Sequence, residues 1–594
     1  MALRLGTLLA ILAAAAACHA QIQLLPTSQI AGLAVHVNAL RTPLTAGTPL
    51  TARYQWDFAD PSPAYRYLEG WIAAHLYSVP GTYPLSLTVT DQSGHAHDFQ
   101  KQIIIAPSHR RVFYVSADGD DTGDGSLDHP IASLEEVARR IGSDTEFRLR
   151  RGDRFPMRRI IRISGHDVVL TDYGSTKSNQ LPRLVWSGPR VEVHMLELER
   201  SSHDVTVRDL IFDSIFNHDT DRWKMPEAVW AAGVNAAVIG CTFLNVAYGV
   251  NCELAPTGVL VQDCTAPQFG ADGTIIPFSN PDISSPGITG LRAYFVWAQG
   301  SDLVLLGNRV ANSTREHCVR LGGIHRMLLA FNDLQNLDRE GVDSQDMAKS
   351  TLAAQIGDHL YAFHNKFSAG QAGVGPLNRA DLVNDPVRRA DAFDWAVFDG
   401  NTFRCQFGLS PGASHVMLRN NIWLVDNAPA ILLHGYDTNY SRGVKDVAIL
   451  QNTAVNRGNA GSFLQMTGPA EHITVVNNLF FAPNLHVRED TADLVIQSPD
   501  LSGFDFIGGN VWPNPPAANI SFRNNGGIIA ALGRFVTPDD WKNLPQVHHD
   551  DFISLTPEQL ESPGALPTVP RRDEARWDIY GTERPPRTYP GAER

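Results

Sequence analysis

With 594 residues, 43% of them hydrophobic, the chain can bury an extended core and exceeds the ~100–200 residues usual for one domain. Its formal charge of −14 excludes a general binder of nucleic acid or of anionic membranes. Beyond Cys18 the chain keeps Cys241, Cys252, Cys264, Cys318 and Cys405, an odd set without metal-like spacing, so no zinc site is implied.

In chain order, residues 1–20 carry Arg4, the apolar run LLAILAAAAA and CHA before Gln21. This is the pattern of a secretion signal cleaved after Ala20, too short for a membrane span, and it predicts a secreted or periplasmic protein. Cys18 after three alanines leaves lipid anchoring open as the other reading. Residues 21–106 hold YQWDFAD, the turn VPGTY and the alternating strand YPLSLTVTD, which predict a small β-sandwich. Next, FYVS reads as a strand, 118–125 as an Asp/Gly loop, and SLEEVARRI as a short helix with Ser133 as N-cap and Glu136 closing a capping box. The loop's carboxylates make calcium possible, but their spacing is not that of a helix-loop-helix site, and Asp and Gly commonly build turns.

From there a short phrase returns, two or three apolar residues, an Asn and another apolar residue. It stands at Asn308, Asn332, Asn365, Asn401, Asn421, Asn452, Asn478 and Asn510, at intervals of 24, 33, 36, 20, 31, 26 and 32 residues. Cys241 and Cys264 keep the phrase upstream, as buried core residues in the Asn position. A loose period that starts near 20 and varies upward marks a solenoid with loops inserted into some coils. Coils of about 22 residues with β-branched strands predict a right-handed parallel β-helix over 107–545, with inward Asn side chains bonding the next turn. Residues 546–594 follow as a closing segment packed on it.

Counting back from each Asn gives every strand residue a phase. Phe295 and Trp297, then His317, Val319 and Leu321, then Ser350, Leu352 and Ala354 take the inward parity. The outward parity places Arg292, Glu316 and Lys349 in one column, with Tyr294, Cys318, Arg320 and Gln355 nearby. Basic residues gather here: TREHCVRLGGIHR holds Arg315, Arg320 and Arg326 against the single Glu316. Arginine forks grip carboxylates or sulfates, which makes an acidic sugar the natural ligand, while a solvated surface with internally paired charges is the bland alternative.

Three resemblances attach to these residues. Trp56, Asp57, Phe58 and Asp60, with His75, Tyr77, Gly81 and Tyr83, resemble the hallmark elements of the PKD domain family, implying a spacer or carbohydrate-surface module without an active site. The segment around FYVS and the capping helix resembles the opening of pectate-lyase-like β-helix proteins, and WDIYGTERPPRTYPGAER resembles their closing segment. The stretch from Glu316 through KSTLAAQIGDHLYAFHNKFSAG is similar to the polysaccharide lyase family of chondroitinase B and bacterial alginate lyases. That family has a Lys base and an Arg on successive coils, yet Arg320 and Gln355 stand where its Lys and Arg would be, and its calcium-binding acids are not evident. A related but separate lyase family is implied.

β-Elimination needs a neutralised uronate carboxylate, a base for the C5 proton and an acid for the leaving 4-oxygen. Arg292 or Arg320 can neutralise, Lys349 can be the base, and Tyr294 can act as acid or base, with His317 as a further candidate. Arg315, Glu316, Arg326 and Gln355 would bind substrate. A glycoside hydrolase would instead use carboxylates, which LDREGVDSQD offers at Asp338, Glu340, Asp343 and Asp346. A non-catalytic glycan-binding β-helix needs only the groove. The expected protein is a monomer acting on an acidic polysaccharide.

Overall fold

The computed structural model of the chain describes residues 22–592 apart from 26, 63, 175–179, 189–192, 217–224, 268–293, 312–316, 337–349, 355, 375–392, 410–411, 434–442, 467–469, 485–494, 499–500, 514–519, 523–534, 537, 554 and 561–565. The signal-like segment and Cys18 lie outside the described residues. No helix among the described residues is long and apolar enough to cross a membrane.

Each recurring phrase folds as a strand, one left-handed residue, the ladder residue and a second strand. Asp263, Gly307, Phe331, His364, Gly400, Asn420, Gln451, Asn477 and Gly509 hold positive φ at this turn. Glycine, Asn and Asp tolerate that conformation best, and it turns the chain sharply enough to present the following Asn to the core. Asn308, Asn332, Asn365, Asn401, Asn421, Asn452, Asn478 and Asn510 are all buried and stack into one column. Each backbone N–H donates to the Oδ1 of the next, from Asn308 to Asn332 at 3.0 Å through Asn478 to Asn510 at 2.9 Å. Each Nδ2 donates to a carbonyl one coil back, as Asn308 does to Val261 at 2.9 Å. Cys241 and Cys264 occupy the same phase, and their Sγ atoms reach the equivalent carbonyls of Val207 and Val238 at 3.8 and 3.4 Å. Asp550 closes the column: its Oδ1 accepts from the Asn510 backbone at 2.9 Å and its Oδ2 from the indoles of Trp512 and Trp541 at 2.8 and 2.9 Å.

The result is a parallel β-helix. Its strands pair coil on coil from Arg111–Val115 to Asp551–Phe552. Leu134–Arg140 is the capping helix, and Ser133 Oγ accepts from Glu136 N at 3.1 Å as predicted. The other half of the capping box is absent. Ser133 N donates to Asp121 at 2.8 Å, and the Glu136 carboxylate turns instead to Arg139 and Arg140. Asp120 and Asp124 accept from Thr122 N and Ser126 N at 2.9 Å each, so these loop carboxylates build turns.

Residues 22–105 form two antiparallel sheets. Their signature residues make one buried cluster. His75 Nε2 meets Asp60 at 2.8 Å, its ring stacks on Phe58 at 4.9 Å, and Tyr77 Oη donates to the Phe58 carbonyl at 2.9 Å. The module does not stand apart from the solenoid. On the solenoid sheet that ends at the ladder turn, Ala237, Leu260, Val304, Leu328, Tyr361, Val397 and Met417 pair in register on the outward side. They share a core with Trp56, Trp71, Leu85 and Ile103 of the first module. Docking is close enough that a Cβ at Gly307 would lie 1.8 Å from Tyr65 Oη. The closing segment runs over the same turns, with buried Arg584 donating to Asn420 at 2.9 Å and Gly591 N to Asn477 O at 2.7 Å. It also touches the first module, where Arg53 lies 5.0 Å over the Trp577 ring.

Candidate functional site

A second sheet of the solenoid carries Tyr294 and Arg320 of the predicted site residues. His194–Leu198, Glu227–Ala231, Tyr248–Cys252, Tyr294–Leu306, Val319–Ala330 and Leu352–Ala354 stack in order. Leu196, Val229, Val250, Val296, Val319 and Leu352 point into the core from matching positions. The intervening positions make an outward row of Glu197, Trp230, Asn251, Trp297, Arg320 and Ala353. Three positions back along the strand, a parallel row runs His194, Glu227, Tyr248, Tyr294.

The two rows are tied together. Arg320 Nη1 donates to Tyr294 Oη at 2.8 Å, and its guanidinium carbon lies 5.9 Å from the Tyr294 ring. The His317 ring stacks 6.5 Å from Tyr294, and its Nδ1 lies 2.7 Å from Ser350 Oγ and 3.2 Å from the Ser350 carbonyl. A carbonyl can only accept, so we assign the proton to Nδ1, which makes Nε2 the basic nitrogen of the neutral ring. Tyr248 lies 5.3 Å from Tyr294, His194 stacks on Trp230 at 4.8 Å, and Asn251 Nδ2 donates to Glu227 at 2.7 Å. His317, Arg320, Trp230, Tyr248 and Trp297 are half-buried, whereas Tyr294 is buried beneath them at 1% exposure. Half-exposed aromatic rings beside a guanidinium offer both a stacking surface and an anion grip.

Of the predicted site residues, Tyr294, His317 and Arg320 are therefore brought together. Arg326 is not: beyond a register irregularity in the strand, it makes a two-pronged ion pair with Asp302 at 2.7 and 2.8 Å. Asp302 raises its pKa further, so it stays a fixed structural cation. Arg292, Arg315, Glu316, Lys349 and Gln355 lie outside the described residues, as do Asp338, Glu340, Asp343 and Asp346. Among the described residues no cluster of three or more His, Cys, Asp or Glu has the arrangement of a metal site.

The expected parity fails at one corner. Trp297 faces outward, Cys318 is fully buried in the core, and His317 sits half-exposed. Two local features are responsible: a register irregularity between Ala298 and Gly300 turns Trp297 outward, and at the corner the amides of Phe295 and Val296 both donate to the Cys318 carbonyl, at 2.8 and 3.1 Å, with both side chains entering the core, as do those of Cys318 and Val319. Counted back from Asn308 the alternation is therefore offset only from Ala298 to Val296, and Tyr294 regains its expected side, whereas counted back from Asn332 it is offset from Cys318 onward, which leaves His317 half-exposed. Trp230, Tyr248, Glu227 and His194 were missed because their coils carry Cys or an apolar residue in the ladder phase.

A second group of titratable residues lies on the neighbouring sheet. Asp358 meets His325 and His359 at 2.6 and 2.7 Å, and the rings of His359, Trp395 and His415 stack at 5.8 and 4.8 Å. Burial pushes the Asp358 carboxyl up, but the two imidazoles more than offset this and hold it below the usual aspartate range.

Residues 22–105 match the family model of the PKD domain. No curated protein sequence matches the chain. Among solved structures, the GH136 lacto-N-biosidase from Eubacterium ramulus is similar at 13% identity and a TM-score of 0.40, with 58% of this chain and 64% of that chain covered. This chain thus spans under two thirds of that structure. A rhamnogalacturonan lyase is similar at 12% identity and TM-score 0.35, covering 64% and 83%, and the pectate lyase Pel9A at 12% and 0.31, covering 69% and 82%. Likeness at this level concerns the fold.

Proposed function

We propose that the protein is a secreted carbohydrate-active enzyme, a polysaccharide lyase that cleaves a uronate-containing polymer by β-elimination on the face of Tyr294, His317 and Arg320. The observation that carries this is the 2.8 Å bond from Arg320 to Tyr294 Oη, set between half-exposed Trp297 and His317. Arg320 has its guanidinium oriented by a buried phenol, so it meets a uronate carboxylate in a fixed plane. Neutralising that carboxylate acidifies the C5 proton. A base on the same face then takes the proton, the C5–H electron pair forms the C4–C5 double bond, and the C4–O bond breaks with a proton delivered to the leaving oxygen. His317, through Nε2, is the described candidate for the base, and Lys349, next to Ser350 in sequence, is the other. Tyr294 acts as a positioning residue through Arg320.

Incubation with uronate polymers tests the reading, because elimination alone generates an ultraviolet-absorbing unsaturated uronate. His317→Ala or Lys349→Ala should abolish turnover with little change in KM, whichever is the base. Arg320→Ala should weaken binding as well as turnover, since the carboxylate is also held in the ground state. Release of reducing ends without unsaturated product, lost in Asp343→Asn or Glu227→Gln, would establish a hydrolase instead.

A further inference from the structure

Where the first module meets the opening coils there is a cleft of about 460 Å³, lined among others by Arg110, Arg148, Thr171, Tyr173 and Arg208. Its volume lies in the range of small-molecule pockets. Each arginine is anchored through Nε: Arg110 to Asp167 at 2.5 Å, Arg148 to Glu146 at 2.6 Å, and Arg208 to Asp209 at 3.0 Å. That arrangement fixes each guanidinium, and some Nη positions are engaged as well: Arg148 Nη1 donates to Tyr114 Oη at 3.4 Å and Arg110 Nη1 lies 3.8 Å from Glu146. Arg110 is the clearest case. Its side chain is 2% exposed, its Nη1 donates to Ala31 O and Ser108 Oγ, and its Nη2 is buried with no hydrogen-bond partner. A buried cationic donor without an acceptor is costly, and an anion in the adjoining cleft would offset its charge. The carboxylates that also line the cleft, Glu146 and Asp172, are already engaged by Arg148 and Arg151. Tyr173 supplies a ring and Thr171 a hydroxyl, the two features that distinguish a sugar acid from a bare anion.

We propose that this cleft is a second saccharide subsite, distinct from the face of Tyr294, His317 and Arg320, which binds a carboxylate-bearing sugar residue. The anion chemistry stands by itself; the assignment of that sugar to the polymer being cleaved rests on the lyase reading. An acidic chain gripped here is held by a rigid junction between module and solenoid, since Arg110 bonds residues of both.

Calorimetric titration of the whole protein with short oligosaccharides of galacturonate, of mannuronate and guluronate, and of glucuronate tests the subsite, with methyl-esterified counterparts and sulfate as controls. For at least one acidic series the Arg320→Ala protein should retain a binding class. Arg148→Gln combined with Arg208→Gln should weaken that class by roughly tenfold per arginine, as expected for lost charged hydrogen bonds. Esterification should abolish it, and an unchanged melting temperature should show that the fold persists. Binding absent from all series, binding unaffected by the double substitution, or sulfate binding as tightly as every sugar acid would each overturn the subsite. Unsaturated product is scored separately. Turnover without cleft binding refutes the subsite alone, and cleft binding without turnover refutes the lyase alone.

Discussion

Truncating one rung of the asparagine ladder should destabilise the solenoid far more than deleting an ordinary buried polar group. Asn401 is placed mid-column, fully buried. Its Oδ1 accepts from Asn365 N and Asn365 Nδ2, both at 2.9 Å, and its Nδ2 donates to Ala362 O at 2.9 Å and Asn421 Oδ1 at 3.1 Å. In Asn401→Ala, Asn365 Nδ2 keeps Leu329 O and Asn421 Oδ1 keeps Asn401 N, but Asn365 N loses its acceptor. That orphaned buried amide costs about 2 kcal/mol, and the four other lost bonds, the weak one to Asp399 O at 3.3 Å among them, add about 2 kcal/mol between them. A local loss of about 4 kcal/mol should accelerate hydrogen exchange at the Asn365 amide by roughly a thousandfold. Because a solenoid can open coil by coil, exchange is the sharper assay and global denaturation the weaker one. Cys264→Ala is the control, since only weak Sγ contacts to Val238 and Gln262 are removed. If Asn401→Ala exchanges no faster than the control, the ladder is decoration and the reasoning fails.

At the column's end, Asp550→Asn should cost about 2 kcal/mol, because an amide nitrogen would face donors where a carboxylate oxygen now accepts from two indoles or from the Asn510 amides; denaturation of the variant checks this. Burial lifts the Asp550 pKa above the ordinary aspartate range, with those donors working against the shift. His36, buried at the junction of module and solenoid with both ring nitrogens unpartnered, gives a pH prediction. Burial lowers its pKa from 6.5 to about 4, against the opposing charges of Asp302 and Asp204. The unfolded chain therefore binds more protons in this window, so stability is full above pH 6.5 and falls as the pH drops to about 4. The shift corresponds to a loss of about 3 kcal/mol, read as a denaturation midpoint that declines with acid in wild type and less steeply in His36→Leu.

Much of the fold is legible in the residues. The Asn phrase fixes the ladder, and the turn residue before it, Gly, His, Phe, Gln or Asn, only becomes meaningful as a left-handed position once coils are stacked. The module interface was also written in the sequence. Runs such as LVLLGN, MLLAFN and LYAFHN are apolar at both parities, the mark of a strand covered on both faces. A free spacer would have left Leu328, Tyr361 and Val397 facing water. The candidate site is less legible for a geometric reason. Arg320 and Tyr294 fall on the outward side as expected, but Phe295 and Val296 both turn inward, and no composition rule announces such a corner. A register irregularity between Ala298 and Gly300 moves Trp297 from the core to the face, where it joins Trp230.

The placement of the face follows from how coils absorb extra chain. Between ladder positions, Cys264 and Asn308 are 44 residues apart, whereas Asn401 and Asn421 are 20 apart. The longer coil carries 44 − 20 = 24 residues beyond the shortest one, and the next two intervals are 24 and 33. Tyr294, His317 and Arg320 belong to these coils. Loop-closure entropy grows only logarithmically, so lengthening a coil twofold costs about 0.6 kcal/mol. The change from sulfur to amide rungs comes at the same place, with Cys264 bonding through Sγ and Asn308 through both amide atoms. Each amide rung contributes several bonds worth about 1 kcal/mol apiece, more than enough to offset the longer coil. The Arg320–Tyr294 pair thus straddles the change of fastening, with Tyr294 in the 44-residue coil that ends at Asn308 and Arg320 in the 24-residue coil that follows it.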